Sequence, residues 1–346
     1  MKGAVLAGGR GTRFRPLTLT TPKPFIPLGN LPLLRHHLEV LARAGVREVS
    51  VCHGYEPAVI ERFAGAEGEK LGVRVAVQMV HESTPLGTAG ALRPLRAWAG
   101  DGPLFAMNGD DLCDFDLAAL RAFHEERGSR FTLLLVRKEG ADFGHVVLDP
   151  DGRVRGFREK PEPGVWTGLV NAGRYVMDPA LLETIPQGRS VSLEKEWVPG
   201  LIAAGVPVFG VEQAVYFRPL NTPRDLVDVH RDLSDGTWKP EWVAGLEPGR
   251  HLLGADCRVY PGARLLRNVT LGDGTEVGAD ALLEDVVTFA GVRIGRRAEV
   301  RRAVLGAGVE IGEGAVVLES ALGDGTKVPA WGALGTLEPG RRGEPA

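Results

Sequence analysis

The sequence predicts a two-part α/β protein, a mainly parallel sheet covered by helices and then a parallel β-helix. Three observations predict it. Strand-like and helix-like stretches alternate through about the first 230 residues, the pattern of chains that build parallel sheets. From Val259 onward an apolar residue recurs every six positions, the period of a coil with flat sides. Glycine accounts for 47 of 346 residues, about twice the usual share of roughly 7 %. There is no Gly-x-y period and hydrophobic residues make up 44 %, so collagen and disordered linker are excluded and the glycine must serve folded backbone.

The elements follow in order. Gly3–Leu6, Val46–Cys52, Val73–Val80, Leu104–Met107 and Phe131–Val136 are short apolar runs with β-branched residues, and read as strands. Leu34, Leu38, Leu41 and Ala42 fall at helical spacing and stop before Gly45, a helix end; residues 88–99 and 116–127 read as helices too. A sheet of this kind places ligands beyond the carboxyl ends of its strands. Ser234–Pro240 and Glu247–Gly249 look like a connector, so the expected domains are 1–233, a linker 234–253, and 254–346. In the last, Val259, Leu265, Leu271, Val277, Leu283 and Phe289 keep a spacing of six. The phase then slips by one and continues through Ile294, Val300, Leu305, Ile311, Val317, Leu322 and Val328. Each apolar residue is expected to point into the coil, with glycine at the corners.

Composition narrows the partners. Lys+Arg 41 against Asp+Glu 44 gives a formal charge of −3, which predicts no nucleic-acid partner. No segment approaches the ~20 apolar residues of a membrane span, and the apolar run at the start breaks after Ala7, too soon for a signal peptide. Three cysteines, Cys52, Cys113 and Cys257, are an odd count without close spacing; a disulfide framework and a zinc site are disfavoured, and a reducing cytoplasm is the expected setting.

The first candidate for chemistry is Leu6-Ala-Gly-Gly-Arg-Gly-Thr-Arg-Phe14. Its glycines let backbone N–H groups approach an anion, and Arg10 and Arg13 add positive charge. No Gly-Lys-Thr/Ser follows, so it is not a Walker loop, and Pro16 with the Thr/Pro-rich stretch 18–24 interrupts the helix a dinucleotide fingerprint needs. Lys23 lies between two prolines in Pro22-Lys-Pro24. Together with Glu82-Ser-Thr-Pro-Leu-Gly-Thr-Ala-Gly-Ala-Leu92, Asn108-Gly-Asp110, Phe143-Gly-His-Val-Val147, Phe157-Arg-Glu-Lys-Pro161 and Asn171-Ala-Gly173, this resembles the sugar-phosphate nucleotidyltransferases, the NDP-sugar pyrophosphorylases. The resemblance covers essentially the first 230 residues, and many members carry a hexapeptide tail.

The resemblance implies a Rossmann-like nucleotidyltransferase fold followed by a left-handed parallel β-helix. It also implies attack by a sugar 1-phosphate on the α-phosphorus of a nucleoside triphosphate, catalysed mainly by positioning and charge stabilisation. On this likeness Leu6, Ala7, Gly8, Gly9, Gly11 and Thr12 run along the nucleotide, and Glu82, Gly87 and Thr88 lie by base and ribose. Arg13, Lys23, Asp110 and Lys160 are its catalytic positions: Arg13 neutralises the leaving end and Lys23 holds phosphate near the reacting centre. Asp110 ligates Mg²⁺, Lys160 holds the incoming sugar phosphate, and Gly144, Glu159 and Asn171 meet the sugar. Singly, Asp110 reads as a turn former and Lys23 as exposed charge; their joint order favours function.

Pro22–Leu34 and Glu82-x-x-Pro-Leu-Gly-Thr look most like the mannose-1-phosphate guanylyltransferase branch; a glucose-1-phosphate thymidylyl- or adenylyltransferase is the alternative. One departure stands out. In Phe217-Arg-Pro-Leu-Asn-Thr-Pro223, Pro219 occupies the place where the family usually carries a second metal-binding Asp, and Asp225 is expected to open a helix. A non-catalytic nucleotide-sugar-binding regulator is therefore a second reading. A third, acyl transfer on the β-helix, is disfavoured because residues 259–330 contain no His. The cluster Arg293, Arg296, Arg297, Arg301 and Arg302 reads as a solvated ridge, and an open coil end suggests a homo-oligomer through the β-helix.

Overall fold

The computed structural model describes residues 1–53, 57–79, 86–138, 144–159, 168–243 and 246–335. Contacts divide the chain into two compact units: Met1–Gly9 with Leu34–Pro219, and Arg10–Leu33 with the chain from Leu220 onward. The expected cut at 233 thus meets a different grouping, in which residues 10–33 join the second unit.

In the first unit a sheet forms around β1 (Lys2–Leu6). With β2 (Glu48–His53), β3 (Arg74–Met79) and β4 (Leu104–Asn108) it makes a parallel core in the order β4-β1-β2-β3. Gly3, Ala4 and Val5 are buried, as the apolar run requires of a strand covered on both faces. Two helices precede and follow β2, α1 (Leu33–Arg43) and α2 (Pro57–Leu71). Leu34, Leu38 and Leu41 are fully buried along one stripe of α1. After β5 (Asp111–Cys113), α3 (Leu117–Glu126) is capped by the Asp116 side chain, which accepts from Ala119 N at 2.9 Å. The far half of the sheet is antiparallel: β6 (Phe131–Arg137), β7 (Gly144–Leu148) and β8 (Val154–Glu159) reach the core through β9 (Leu169–Met177), which pairs antiparallel with β4, β6 and β7. β10 (Val208–Glu212) runs parallel to β6, and β11 (Phe217–Pro219) pairs with β5.

The second unit contains α4 (Pro223–Asp235), the segment 10–33 and the β-helix. Thr222 and Asp225 form a capping box at the start of α4, so Asp225 does open a helix. Successive coils stack in parallel with partners seventeen residues apart: Val277, Ile294, Ile311 and Val328 on one side, and Leu283, Val300 and Val317 on the next. On the third side Leu305 pairs with Thr288 and Leu322 with Leu305. Thr288, not Phe289, is therefore the residue in register there. The step from Leu283 to Thr288 is five positions, as are those from Val300 to Leu305 and Val317 to Leu322, so the phase slip recurs once per coil. Its corner is turned by Asn268, Asp285, Arg302 and Glu319, all at positive φ (46°, 55°, 47° and 47°), a column without glycine. A buried threonine is tolerated because Thr288 Oγ1 accepts from Gly272 N at 2.9 Å and bonds Thr275 Oγ1 at 3.1 Å. Val259 and Leu265, in the first coil, are exposed and half-buried rather than enclosed. In the arginine ridge, Arg293, Arg297, Arg301 and Arg302 each pair with a glutamate about one coil away: Glu310, Glu313, Glu284 and Glu319.

Candidate active site

Two strand ends build the core of the site in the first unit. Leu6 pairs with Asn108 on one side and Cys52 on the other, so β1 and β4 finish together at the carboxyl edge of the sheet. Gly109 N donates to Leu6 O at 2.9 Å, and a Cβ at residue 109 would stand 2.8 Å from that same oxygen. Only glycine permits this approach. It sets Ala7, Gly8 and Gly9 beside the turn that carries Asp110. Gly8 and Gly9 are exposed, and among the described residues beyond its chain neighbours nothing lies within 4 Å of where a Cβ on Gly9 would be.

Asp110 is half-buried at the start of that turn. Asp111, next to it, is buried and ion-paired with Arg174 of β9, whose side chain is also fully buried. Burial works against the Arg174 charge, and the Asp111 carboxylate overcomes this and raises its pKa. The guanidinium also donates to Ala172 O and Gly173 O at 3.3 and 3.2 Å. Across the β5–β11 ladder Asp111 faces Pro219. Burial pushes the neighbouring Cys113 thiol up to about 12, which makes it inert. Asn108 Oδ1, two residues before Asp110, is buried and has no hydrogen-bond partner among the described residues. A carboxylate on the turn and an orphaned amide oxygen at the end of β4, two residues before it, are of the kind that an oxygen-preferring divalent cation takes. Among the described residues no group of three His, Cys, Asp or Glu could hold a metal by itself.

A hydrogen-bond chain joins two further positions. Thr88 Oγ1 accepts from Leu193 N at 2.8 Å and donates to Glu194 Oε2 at 3.1 Å. Tyr175 Oη donates to Glu194 Oε1 at 3.5 Å and accepts from Asn171 Nδ2 at 2.7 Å. Burial, reinforced by Glu194, raises the Tyr175 pKa well above its usual value and keeps it a neutral donor. Gly87, before Thr88, has φ +74° and packs against Val191 O. Gly144 pairs with Glu159 across β7 and β8, while Val170, next to Asn171, pairs with His145, next to Gly144. The register therefore brings Gly144, Glu159 and Asn171 onto neighbouring strands. Glu82 and Lys160 lie outside the described residues.

The remaining positions belong to the second unit. Gly11 sits at φ +59°, and a Cβ there would come within 3.0 Å of Thr18 Cγ2; Thr18 Oγ1 in turn donates to Gly11 O at 2.6 Å. Thr12 and Arg13 are exposed in the helical turn that follows, and Arg13 Nη2 donates to Asn221 Oδ1 at 2.7 Å. Lys23 is not an exposed charge. It is buried in a turn fixed by Pro22 and Pro24, with its ammonium 5.6 Å from the Phe14 ring centroid.

Sequence reasoning did not find Arg174, Tyr175 and Glu194. The only signal was a lone arginine in the apolar strand Leu169–Met177 and a second carboxylate in Asn108-Gly-Asp-Asp.

A parallel-core α/β domain with a glycine-rich loop and a carboxylate at its strand ends, followed by a β-helix, defines a nucleotidyltransferase with a hexapeptide-repeat tail. The Nucleotidyl transferase family profile matches residues 2–236, and that of the GlmU-like C-terminal hexapeptide matches residues 250–327. The chain belongs to the nucleotidyl transferase family, and its tail is a left-handed parallel β-helix. It is 39 % identical over 282 residues to a mannose-1-phosphate guanylyltransferase of Mycobacterium tuberculosis, covering 81 % of this chain and 77 % of that one. It is 38 % identical over 231 residues to the mannose-1-phosphate guanylyltransferase catalytic subunit beta of Danio rerio, covering 66 % of this chain and 63 % of that one. Two solved structures share the fold: HddC from Yersinia pseudotuberculosis (TM-score 0.57, 23 % identity, 66 % of this chain and 97 % of that one) and a putative glucose-1-phosphate thymidylyltransferase from Bacillus anthracis (TM-score 0.60, 20 % identity, 66 % and 93 %). The protein is an enzyme of the sugar-1-phosphate nucleotidyltransferase kind, and enzymes of this kind use a divalent metal. No helix among the described residues is long and apolar enough to cross a membrane.

Proposed function

We propose that the protein transfers GMP from GTP to mannose 1-phosphate, giving GDP-mannose and pyrophosphate. The observation that carries the chemistry is the Gly109–Leu6 junction, which holds the exposed Gly8–Gly9 backbone beside Asp110. The choice of guanine and mannose rests on the likeness to the two guanylyltransferases. A non-bridging oxygen of the sugar phosphate forms a bond to the α-phosphorus; the bond from that phosphorus to the bridging oxygen breaks, and its electron pair leaves with pyrophosphate. Backbone N–H groups of the glycine loop hold the triphosphate, Arg13 neutralises the leaving end, and Lys23 holds phosphate oxygens in line. Asp110 and Asn108 are the residues that would hold Mg²⁺, which neutralises phosphate charge when bound. Lys160 and Glu159 take the sugar phosphate and its hydroxyls, with Gly144 and Asn171 lining the sugar. Glu82, Gly87 and Thr88 lie by base and ribose, Thr88 braced through Glu194.

The reading includes a reducing cytoplasm, suited to three free thiols, and a homo-oligomer in which the exposed Leu253, Val259 and Leu266 of the first coils are covered. The full-length protein, incubated with each nucleoside triphosphate, mannose or glucose 1-phosphate and Mg²⁺, should release pyrophosphate fastest with GTP and mannose 1-phosphate. Pro219 favours one second reading, a non-catalytic nucleotide-sugar binder. Tight GDP-mannose binding without turnover of any substrate pair would establish that reading instead.

A further inference from the structure

The sequence Leu-Gly-Asp-Gly-Thr occurs twice in the β-helix, at 271–275 and 322–326. In both copies the aspartate Oδ1 accepts from a backbone N–H of the preceding coil at 2.8 Å: Asp273 from Ala255 and Asp324 from Ala307. The second copy does something more. Asp324 Oδ2 accepts from Thr20 Oγ1 at 2.7 Å and from Thr21 Oγ1 at 3.5 Å. The bare Cα of Gly323 faces Pro16, where a Cβ would lie 3.3 Å from Pro16 Cβ. Pro16–Thr21 is the stretch that separates Arg13 from Lys23, and it is braced internally by Thr21 N donating to Leu17 O at 3.1 Å and by the Thr18–Gly11 bond. The corner Gly323–Asp324 is thus a seat for the loop between two phosphate-binding cations.

We propose that Asp324 is a positioning residue: through Thr20 and Thr21 the β-helix fixes where Arg13 and Lys23 stand when they meet the triphosphate. The inference rests on the function proposed above. A charged acceptor bonded to a loop hydroxyl holds that loop against the backbone entropy that favours its release. Asp273 supplies the internal control, because it caps a coil in the same way and bonds neither threonine.

Kinetics and hydrogen exchange on the full-length protein test the proposal. Asp324→Ala and Thr20→Val should each lower kcat/KM for the triphosphate about three- to tenfold, mainly through KM, without adding in the double variant. Thr20→Ser, which keeps the hydroxyl, should recover most of the loss, and Asp273→Ala should stay within about twofold of wild type. Amide exchange in residues 10–33 should rise in Asp324→Ala and not in Asp273→Ala. Wild-type kinetics in both Asp324→Ala and Thr20→Val, or an equal loss in Asp273→Ala, would overturn it. If the wild-type protein turns over no substrate pair, the function falls, and the exchange pattern still decides whether Asp324 orders the segment.

Discussion

Asp111 stands across the β5–β11 ladder from Pro219, and its carboxylate is paired with the buried guanidinium of Arg174. Where the resemblance leads one to expect a second metal carboxylate, this chain carries a proline opposite a neutralised ion pair. The negative charge beside Asp110 is thus cancelled by Arg174.

Breaking that pair should cost more than removing it. Asp111→Leu, or Arg174→Met alone, strands one buried charge and should lower unfolding stability by about 3–5 kcal/mol. Asp111→Leu combined with Arg174→Met should recover much of that, since both desolvation costs leave together. Urea unfolding of the four proteins checks this, and additive losses would refute the coupling.

Asp110→Asn should act on the reaction and not on the fold. The expected loss is about a hundredfold in kcat, the scale of one charge-stabilising group, with an unchanged urea midpoint. A rate within twofold of wild type would remove the metal role from Asp110.

His230, on α4, is buried and held neutral: Gly29 N donates to its Nε2 at 3.0 Å and its Nδ1–H donates to Leu226 O at 2.8 Å. Burial pushes its pKa down to about 4 against an ordinary 6.5, and the Leu226 bond opposes this only in part. The unfolded chain therefore takes up a proton that the folded chain refuses. Stability is full above pH 6.5 and falls as pH drops from 6.5 toward 4, by up to about 3 kcal/mol for this group. His53, pushed down to about 4 by burial, adds in the same direction. His230→Asn should be less stable at pH 7.5 yet show a flatter loss on acidification; an unchanged slope would contradict the assignment.

Gly314 has φ +63° and lies under the Trp331 indole, and the Arg297 guanidinium stands 5.3 Å from the same ring centroid. Gly308 has the same φ of +63°, and among the described residues beyond its chain neighbours nothing lies within 4 Å of where its Cβ would be. Gly308→Ala should cost about 1 kcal/mol of backbone strain, and Gly314→Ala about 1–2 kcal/mol more for displacing the ring. Equal losses in thermal unfolding would show that the indole contributes nothing there.

The parallel core and the β-helix were legible because their periods are written in consecutive residues. The one-residue error at Phe289 arose because a rule that seeks apolar anchors passes over a threonine whose hydroxyl is satisfied by Gly272 and Thr275. The antiparallel half was not legible, since β9 reads as one apolar strand and nothing local says that it meets β4, β6 and β7 in opposite sense. Of the candidate site, the glycine loop and Asp110 were proposed from contiguous motifs. The Asp111–Arg174 pair could not be, because 63 residues separate its members, and neither could the seat of Thr20 on Asp324.

That last separation has a consequence for how the chain comes into being. Thr20 leaves the ribosome 304 residues before the aspartate that holds it. At about 5–20 residues per second of synthesis, the loop between Arg13 and Lys23 waits roughly 15–60 s for its seat. A chain released before Asp324 is made would carry every signature motif of the first 230 residues and still lack the carboxylate that seats that loop.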